Sequence, residues 1–326
     1  KGLEKFRSYF YALYSNWSNL SLVDLGNIKP GETLNDTYFA LSQVVSECVK
    51  LNVIPIVIGG SQDLTFSMYK AYEELEQVVN IVSVDKSLDL GDIDSEISSA
   101  SFLNKIILHQ PNYLFNYSNI GYQTYFVSPE ERDLMDKLFF DIHRLGEVRA
   151  DMKEVEPVVR NADIVSFDLG SIRYSDAPAV PNVSPNGCYG EEACQITRYA
   201  GLSDKLSSIG FFELDATKDL EVTSHLLAQM VWYFIEGYQN RKHDGPNKQS
   251  KEYLKYRVAS TDVDGEEIVF YKNLMSDRWW MNVPYPASKI HKYRRHQMIP
   301  CSFKDYLAAC NAEVPDKWLK NYSKFS

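Results

Sequence analysis

The chain has 326 residues, of which 44% are hydrophobic, and its 34 basic and 44 acidic side chains give a net charge of −10. This composition supports a large folded core and excludes global disorder. No stretch reaches the about 18 to 20 apolar residues of a membrane helix, and the negative charge argues against nucleic acid as a partner. Five cysteines in so long a chain do not suggest a secreted disulfide framework, so we expect a cytoplasmic location.

Charge divides the chain into two parts. Residues 1–244 carry 20 basic and 35 acidic side chains, whereas residues 245–326 carry 14 basic and 9 acidic ones. The turn-rich stretch HDGPNKQSKE separates them, and its Gly-Pro pair breaks regular structure. We therefore predict one domain over residues 1–243. Residues 244–326 form a basic, aromatic C-terminal extension that packs on or beside it.

Hydrophobic periodicity predicts alternating helices and strands along the first part. In chain order, the predicted elements are a helix over 36–50, a strand within 52–60, a helix over 67–76, strands over 80–84 and 119–125, a helix over 130–145, a strand over 162–168, a helix over 190–200, a strand over 207–214 and a helix over 222–237. This alternation indicates an α/β fold of three layers, with helices on both faces of a mostly parallel central sheet. Functional residues of such sheets gather at the carboxyl ends of the strands.

Three predicted strand ends carry polar motifs. Residues 59–65 read GGSQDLT, residues 84–90 read VDKSLDL, and residues 166–181 read SFDLGSIRYSDAPAVP. Their order and spacing resemble the ureohydrolase family, which includes arginase, agmatinase and formimidoylglutamase. The resemblance extends over residues 39–237 and implies an arginase-like fold. Family members open with a strand before the helix that residues 1–13 resemble, so we expect the N-terminal strand to be missing from this chain.

The resemblance also implies which positions would hold metal. Family members carry Gly-Gly-Asp-His, Asp-x-His-x-Asp and Ser-x-Asp-x-Asp motifs, whose side chains hold two manganese ions and activate a bridging hydroxide. That hydroxide attacks a guanidino or formimino carbon. The corresponding positions in this chain are Gln62, Asp85, Ser87, Asp89, Asp168 and Gly170. None of the six histidines lies in a motif.

These replacements predict a degenerate metal site. Asp85, Asp89 and Asp168 remain as carboxylates, but glutamine and serine are poor manganese ligands and glycine has no side chain. We expect Lys86 and Arg173 to neutralise part of the remaining negative charge. The sequence therefore favours a catalytically inactive protein, without a cofactor, that is retained for protein interaction or assembly.

A reduced metal site is the alternative. Asp85, Asp89 and Asp168 could hold a single manganese or magnesium ion, and the protein would then hydrolyse formiminoglutamate or a guanidino compound. Glu213 occupies the place where the family recognises the cationic group of the substrate, but it could instead pair with a nearby cation. Asp85 and Asp89 could also be ordinary loop carboxylates or helix caps, and Asp168, on a buried strand, could have a structural role by bonding backbone N–H groups.

The C-terminal extension offers a candidate interaction surface. Its tryptophans and its basic cluster supply residues that are frequent at interfaces, namely Trp279, Trp280, Lys292, Arg294 and Arg295. In the competing interpretation, the tryptophans pack on the first part and the basic cluster pairs with its acidic surface. The sequence does not identify the protein partner, and the family resemblance allows a homo-oligomer. A further hypothesis assigns the function to the extension alone.

Overall fold

The computed structural model describes residues 2–15, 17, 19–92, 96–215, 217–218, 221–246, 252–259, 267–286 and 293–325. A parallel sheet of six strands forms the centre of the first part. The strands are β1 (Ile56–Ile58), β2 (Val79–Val84), β3 (Leu114–Tyr122), β4 (Asp141–Arg144), β5 (Ile164–Asp168) and β6 (Ser208–Phe212). They lie in the order β1-β6-β5-β2-β3-β4, and each neighbouring pair is parallel.

Helices cover both faces of this sheet. They are α1 (Gly2–Ala12), α2 (Leu34–Lys50), α3 (Leu64–Lys70), α4 (Phe102–Leu108), α5 (Pro129–Lys137), α6 (Leu145–Ala150), α7 (Val155–Arg160), α8 (Gly190–Leu202) and α9 (Val222–Gln239). Alternate residues of the central strands supply two cores. Val82 and Val165 pack with α8 and α9, whereas Ile81 and Ile164 pack with α2, α3 and α4. The predicted three-layer α/β fold is therefore confirmed. Across the described residues, no helix is long and apolar enough to cross a membrane.

The helix predicted over residues 130–145 is wrong in its second half. The helix ends at Lys137, and Phe139 then adopts a φ of +57°, a left-handed conformation that breaks helical hydrogen bonding. The following residues form β4, which extends the sheet beside β3. The apolar residues of this segment are spaced as on one face of a helix, so the sequence alone predicted a helix. Hydrogen bonding to β3 makes the segment a strand instead.

The C-terminal extension contains a second sheet with its own core. Its elements are β7 (Tyr253–Ala259), β8 (Glu267–Asn273), β9 (Trp279–Asn282), β10 (Met298–Cys301), α10 (Phe303–Cys310) and α11 (Asp316–Phe325). The strands are antiparallel, in the order β10-β9-β8-β7. Ser302 and Asp305 form a capping box at the start of α10.

The extension packs against the amino end of the central sheet. Val78, just before β2, and Phe115, near the start of β3, belong to the core of the extension. The Nε2 atom of His296 lies 3.1 Å from the carbonyl oxygen of Val78, and Arg160 donates to the carbonyl oxygen of Trp279 over 3.2 Å. The extension therefore lies opposite the carboxyl ends of the strands, where the polar motifs are.

Candidate functional site

Four neighbouring strands bring the polar motifs together at one edge of the sheet. The loops after β1, β6, β5 and β2 follow each other in sheet order, and each carries a motif residue at its start. They border a cavity of about 330 Å³ whose lining includes Gln62, Lys86, Ser87, Asp89, Asp168, Gly170 and Glu213. The structure thus brings together the positions that the sequence singled out.

The amide of Gln62 bonds to hydroxyls of the central sheet. Its side chain is buried, and its Nε2 atom donates to the hydroxyls of Ser83 over 3.2 Å and Ser166 over 3.3 Å. Thr65 extends this buried network, with its hydroxyl 2.6 Å from that of Ser166. The sequence analysis missed these hydroxyls, although serine in the middle of two fully buried strands was a visible signal.

Ser87 lies between Asp85 and Asp89. Its backbone N–H donates to Asp85 Oδ1 over 3.0 Å, and its hydroxyl lies 3.2 Å from that oxygen and 2.8 Å from Asp89 Oδ1. The other carboxylate oxygen of Asp85, Oδ2, is enclosed and has no hydrogen-bond partner among the described residues. Ser87 therefore donates hydrogen bonds to both aspartates, while Asp85 Oδ2 has no donor among the described residues.

Asp168 is held by the turn that follows β5. The backbone N–H of Gly170 donates to Asp168 Oδ1 over 2.6 Å. A Cβ atom at position 170 would lie 3.0 Å from that oxygen, which is closer than ordinary van der Waals contact. Glycine therefore permits this tight turn, and the turn occupies a carboxylate oxygen.

Glu213 supports the first motif. Its Oε1 atom accepts from the backbone N–H of Gln62 over 2.7 Å, and its own N–H donates to the carbonyl oxygen of Gly60. Its φ of +67° turns the chain directly after β6. The described contacts thus give Glu213 a role in holding the Gly59–Gln62 loop, and they include no ion pair with a cation.

The carboxylates create a local excess of negative charge. Burial raises the pKa of Asp89 and of Asp168, and the charge of Asp85 raises both further. Burial also raises the pKa of Glu213. Each group consequently holds a proton more tightly than it would in water.

The two cations expected to neutralise part of this charge behave differently. The ammonium of Lys86 donates to the carbonyl oxygen of Asn182, although its charge lowers the pKa of Asp168 in opposition to the stronger effects. The expectation for Arg173 is wrong, because its Nε atom lies 2.9 Å from Asp176 and its guanidinium stacks on Tyr189. Ion pairing within its own loop is geometrically easier than reaching the aspartates.

These pKa shifts predict that Asp89→Asn stabilises the protein at neutral and higher pH. Protonation of Asp89 stabilises the native state fully below about pH 4, and this contribution is lost as the pH rises through the raised native pKa. Asparagine retains the acceptor for Ser87, tolerates the φ of +51° at this position and offers an N–H to Asp85. We expect a gain of about 1 kcal/mol or more at pH 8 that shrinks towards pH 4, measured by urea unfolding.

The exposed Asp133→Asn on α5 is the matched control and should change stability by no more than about 0.5 kcal/mol at either pH. A loss of stability in Asp89→Asn at pH 8 would contradict this account. That loss would indicate that the carboxylate has a cationic partner in solution.

The proposed interaction surface in the extension needs correction. Trp279 and Trp280 are only 7% and 4% exposed, because they pack inside the extension and against Arg160. Arg295 donates to Asp163 over 2.7 Å, as the pairing interpretation predicted. Arg294 is exposed, and Lys292 lies outside the described residues. The tryptophans are therefore not available to a partner.

Comparisons with known proteins support the family resemblance. The sequence profile of the Arginase family matches residues 3–236. The formimidoylglutamase of Staphylococcus haemolyticus (strain JCSC1435) is 24% identical over 223 residues, covering 66% of this chain and 71% of the relative. That of Staphylococcus aureus (strain MSSA476) is 24% identical over 227 residues, covering 66% and 72%.

Solved structures show the same fold. Trypanosoma cruzi formiminoglutamase with Mn²⁺ superposes with a TM-score of 0.68 at 22% identity, covering 74% of this chain and 86% of that one. The formimidoylglutamase of Bacillus subtilis gives a TM-score of 0.66 at 20% identity, covering 74% and 81%. The arginase-like fold expected from the motifs is confirmed. The family profile ends before the C-terminal extension begins.

Proposed function

Because the chain belongs to the arginase family, we propose that it is a catalytically inactive, ureohydrolase-like protein retained for protein interaction or assembly. The observation that carries this proposal is the use of the former ligand positions. Gln62 bonds into a hydroxyl network inside the sheet, Ser87 bridges two aspartates, and Gly170 closes a turn on Asp168. Each position now has a structural role that needs no metal.

The donors present do not fit a centre of two metal ions. Such a centre requires enough charged and imidazole ligands to fix both cations and their bridging hydroxide. Within the described ranges, no three His, Cys, Asp or Glu side chains are placed to hold a metal ion. Backbone and hydroxyl donors already engage one oxygen each of Asp85, Asp89 and Asp168. We therefore assign no hydrolytic step to this site.

One observation favours the alternative of an active hydrolase with a reduced metal site. Asp85 Oδ2 is enclosed without a partner among the residues that the structure describes, and neither Lys86 nor Arg173 binds it. A single manganese or magnesium ion would require Asp85, Asp89 and Asp168 to reorient towards one point. The substrate would be formiminoglutamate or a guanidino compound, on the resemblance to formimidoylglutamases.

Cellular location and assembly remain part of the proposal. The five cysteines are all unpaired, which suits the reducing cytoplasm that the composition suggested. The pairing of Arg295 with Asp163 uses part of the basic cluster internally, which weakens the case for a nucleic-acid partner. A homo-oligomer remains compatible with the proposal.

The test measures metal and turnover together. The purified chain is dialysed against manganese, its bound metal is measured by mass spectrometry, and product release is followed with formiminoglutamate, agmatine and arginine. We expect far less than one manganese per chain and no product above the blank. Stoichiometric manganese with turnover on any of the three substrates would overturn the proposal in favour of the active alternative.

A variant that restores the ligands provides the matched comparison. The triple change Gln62→His, Ser87→His and Gly170→Asp introduces the three ligand types that the family carries at these positions. It should raise the amount of bound manganese above that of the natural chain. The strain at Gly170 should limit this gain, because a Cβ there crowds Asp168. Equal metal content in both proteins would contradict the view that these three positions decide metal binding.

A further inference from the structure

A second cavity lies where the C-terminal extension meets the first part of the chain. It has a volume of about 550 Å³, and we call it the junction cleft. One wall comes from β4, α6 and the residues up to Val155, and the other from α10, α11 and the loop between them. The second wall lies outside residues 3–236, which the family profile matches. The cleft is therefore built from a segment that the arginase family comparison does not cover.

Acidic side chains dominate the lining of the junction cleft. Its carboxylates are Asp141, Glu147, Asp151, Glu154, Asp305, Glu313 and Asp316, and its cations are Lys304, Lys317 and Lys320. Each lysine already pairs with a carboxylate of the lining: Lys304 with Asp151 at 2.6 Å, Lys317 with Asp305 at 3.5 Å and Lys320 with Asp141 at 3.2 Å. The acidic side chains exceed the lysines by four, which favours a cationic ligand.

His143 on β4 adds a second, independent feature. It lines the cleft, and its Nε2 atom is enclosed without a hydrogen-bond partner in the described part of the chain. Burial lowers the pKa of His143, so the imidazole is neutral at pH 7 and one ring nitrogen is an acceptor. In the tautomer that carries its hydrogen on Nδ1, Nε2 is the acceptor, and a ligand that brings an N–H donor would satisfy it.

β4 gives the cleft a backbone edge. It lies at the end of the six-stranded sheet and pairs only with β3 among the described strands. Its consecutive residues Asp141, Ile142 and His143 all line the cleft. Because successive side chains of a strand point to opposite faces, three in a row indicate that the cleft runs along the edge of the strand. Such an edge can pair with an extended peptide.

We propose that the junction cleft binds an extended segment, rich in lysine or arginine, of a partner protein, which adds as a strand beside β4. Main-chain hydrogen bonds to β4 provide affinity, and the surplus carboxylates select basic side chains. The proposal names the partner class for the interaction role proposed above and rests on that role. Its test measures binding alone, so its failure is distinguishable from the appearance of hydrolytic activity.

The test uses a fluorescein-labelled octapeptide that alternates lysine and valine, titrated with the full chain and followed by fluorescence anisotropy. We expect saturable binding that weakens about tenfold in the double variant Glu313→Lys, Asp316→Lys, since each reversal removes an attraction and adds a repulsion. Both residues are exposed, so folding should be unaffected. The control is the double variant Glu47→Lys, Asp133→Lys. It has the same net charge as the test variant, but neither residue lines the cleft, so it should bind the peptide like the natural chain.

A second peptide separates strand addition from simple charge attraction. Replacing every valine by proline keeps the lysines but removes backbone donors, and we expect binding to be lost. Hydrogen exchange should show added protection in β4 only with the valine peptide. Equal binding of both peptides, equal weakening in both double variants, or spermidine binding as tightly as the valine peptide would each overturn the proposal.

Discussion

The free energy of unfolding is expected to fall by about 3 to 5 kcal/mol when Asp163 is replaced by alanine. Asp163 is fully buried directly before β5, where the extension meets the central sheet. Its carboxylate accepts from Arg295 over 2.7 Å and from the backbone N–H of Asn80 over 2.9 Å, and it lies 3.6 Å from Lys205. Alanine leaves the buried backbone N–H of Asn80 without its acceptor and removes the negative charge that Arg295 and the largely buried Lys205 face.

The loss should be visible in two measurements. Urea unfolding gives the change in free energy, and limited proteolysis should cut the C-terminal extension earlier than in the natural chain, because Arg295 no longer anchors it. The control is Glu267→Ala. This change removes an exposed ion pair between Glu267 and Arg257, whose atoms lie 3.0 Å apart. That change should cost less than about 1 kcal/mol. Similar losses of unfolding free energy in the two variants would show that Asp163 stabilises the protein no more than an exposed ion-pair residue does.

Replacing Gly201 by valine should have an effect of similar size. Helices α8 and α9 cross closely at Gly201 and Gly237, and a Cβ atom at position 201 would overlap the carbonyl oxygen of Phe234. Because the obstacle is backbone, it cannot rotate away, and the helices must separate. We expect a loss of about 3 kcal/mol, at the upper end of overpacking costs, measured by thermal and urea unfolding.

Gly146 in α6 is the matched control for this prediction. A Cβ atom there meets nothing within 4 Å, so Gly146→Ala should leave stability unchanged or raise it by up to about 1 kcal/mol. A Gly201→Val protein as stable as the natural chain would show that α8 and α9 can separate at little cost. The two glycines look alike in the sequence, and only the crossing of the helices distinguishes them.

The two ends of the central sheet have different roles in this account. The carboxyl end retains the cavity, the three aspartates and Glu213, and local donors engage one oxygen of each of these carboxylates. The amino end is covered by the C-terminal extension through Asp163 and Arg160. For the interaction role proposed above, the partner is therefore expected at surfaces that the extension creates, such as the junction cleft.

The candidate site was predictable from the sequence because its residues lie in short motifs at strand ends. Parallel strands end at one edge, so motif residues distant in the chain meet there whatever the detailed packing. The direction of each side chain was not predictable. The bonds of Gln62 to Ser83 and Ser166, for example, depend on buried hydroxyls from two other strands.

The sequence by itself determined the α/β layers, the family and which residue types occupy the motif positions. Those features depend on local periodicity and on which residues occupy a motif. Only the tertiary structure decided that residues 141–144 form an edge strand, that the tryptophans are buried and that Arg173 pairs with Asp176. The first two outcomes depend on packing against residues distant in the chain, and the third depends on which of several carboxylates Arg173 reaches. The spacing of residues in the sequence does not specify either.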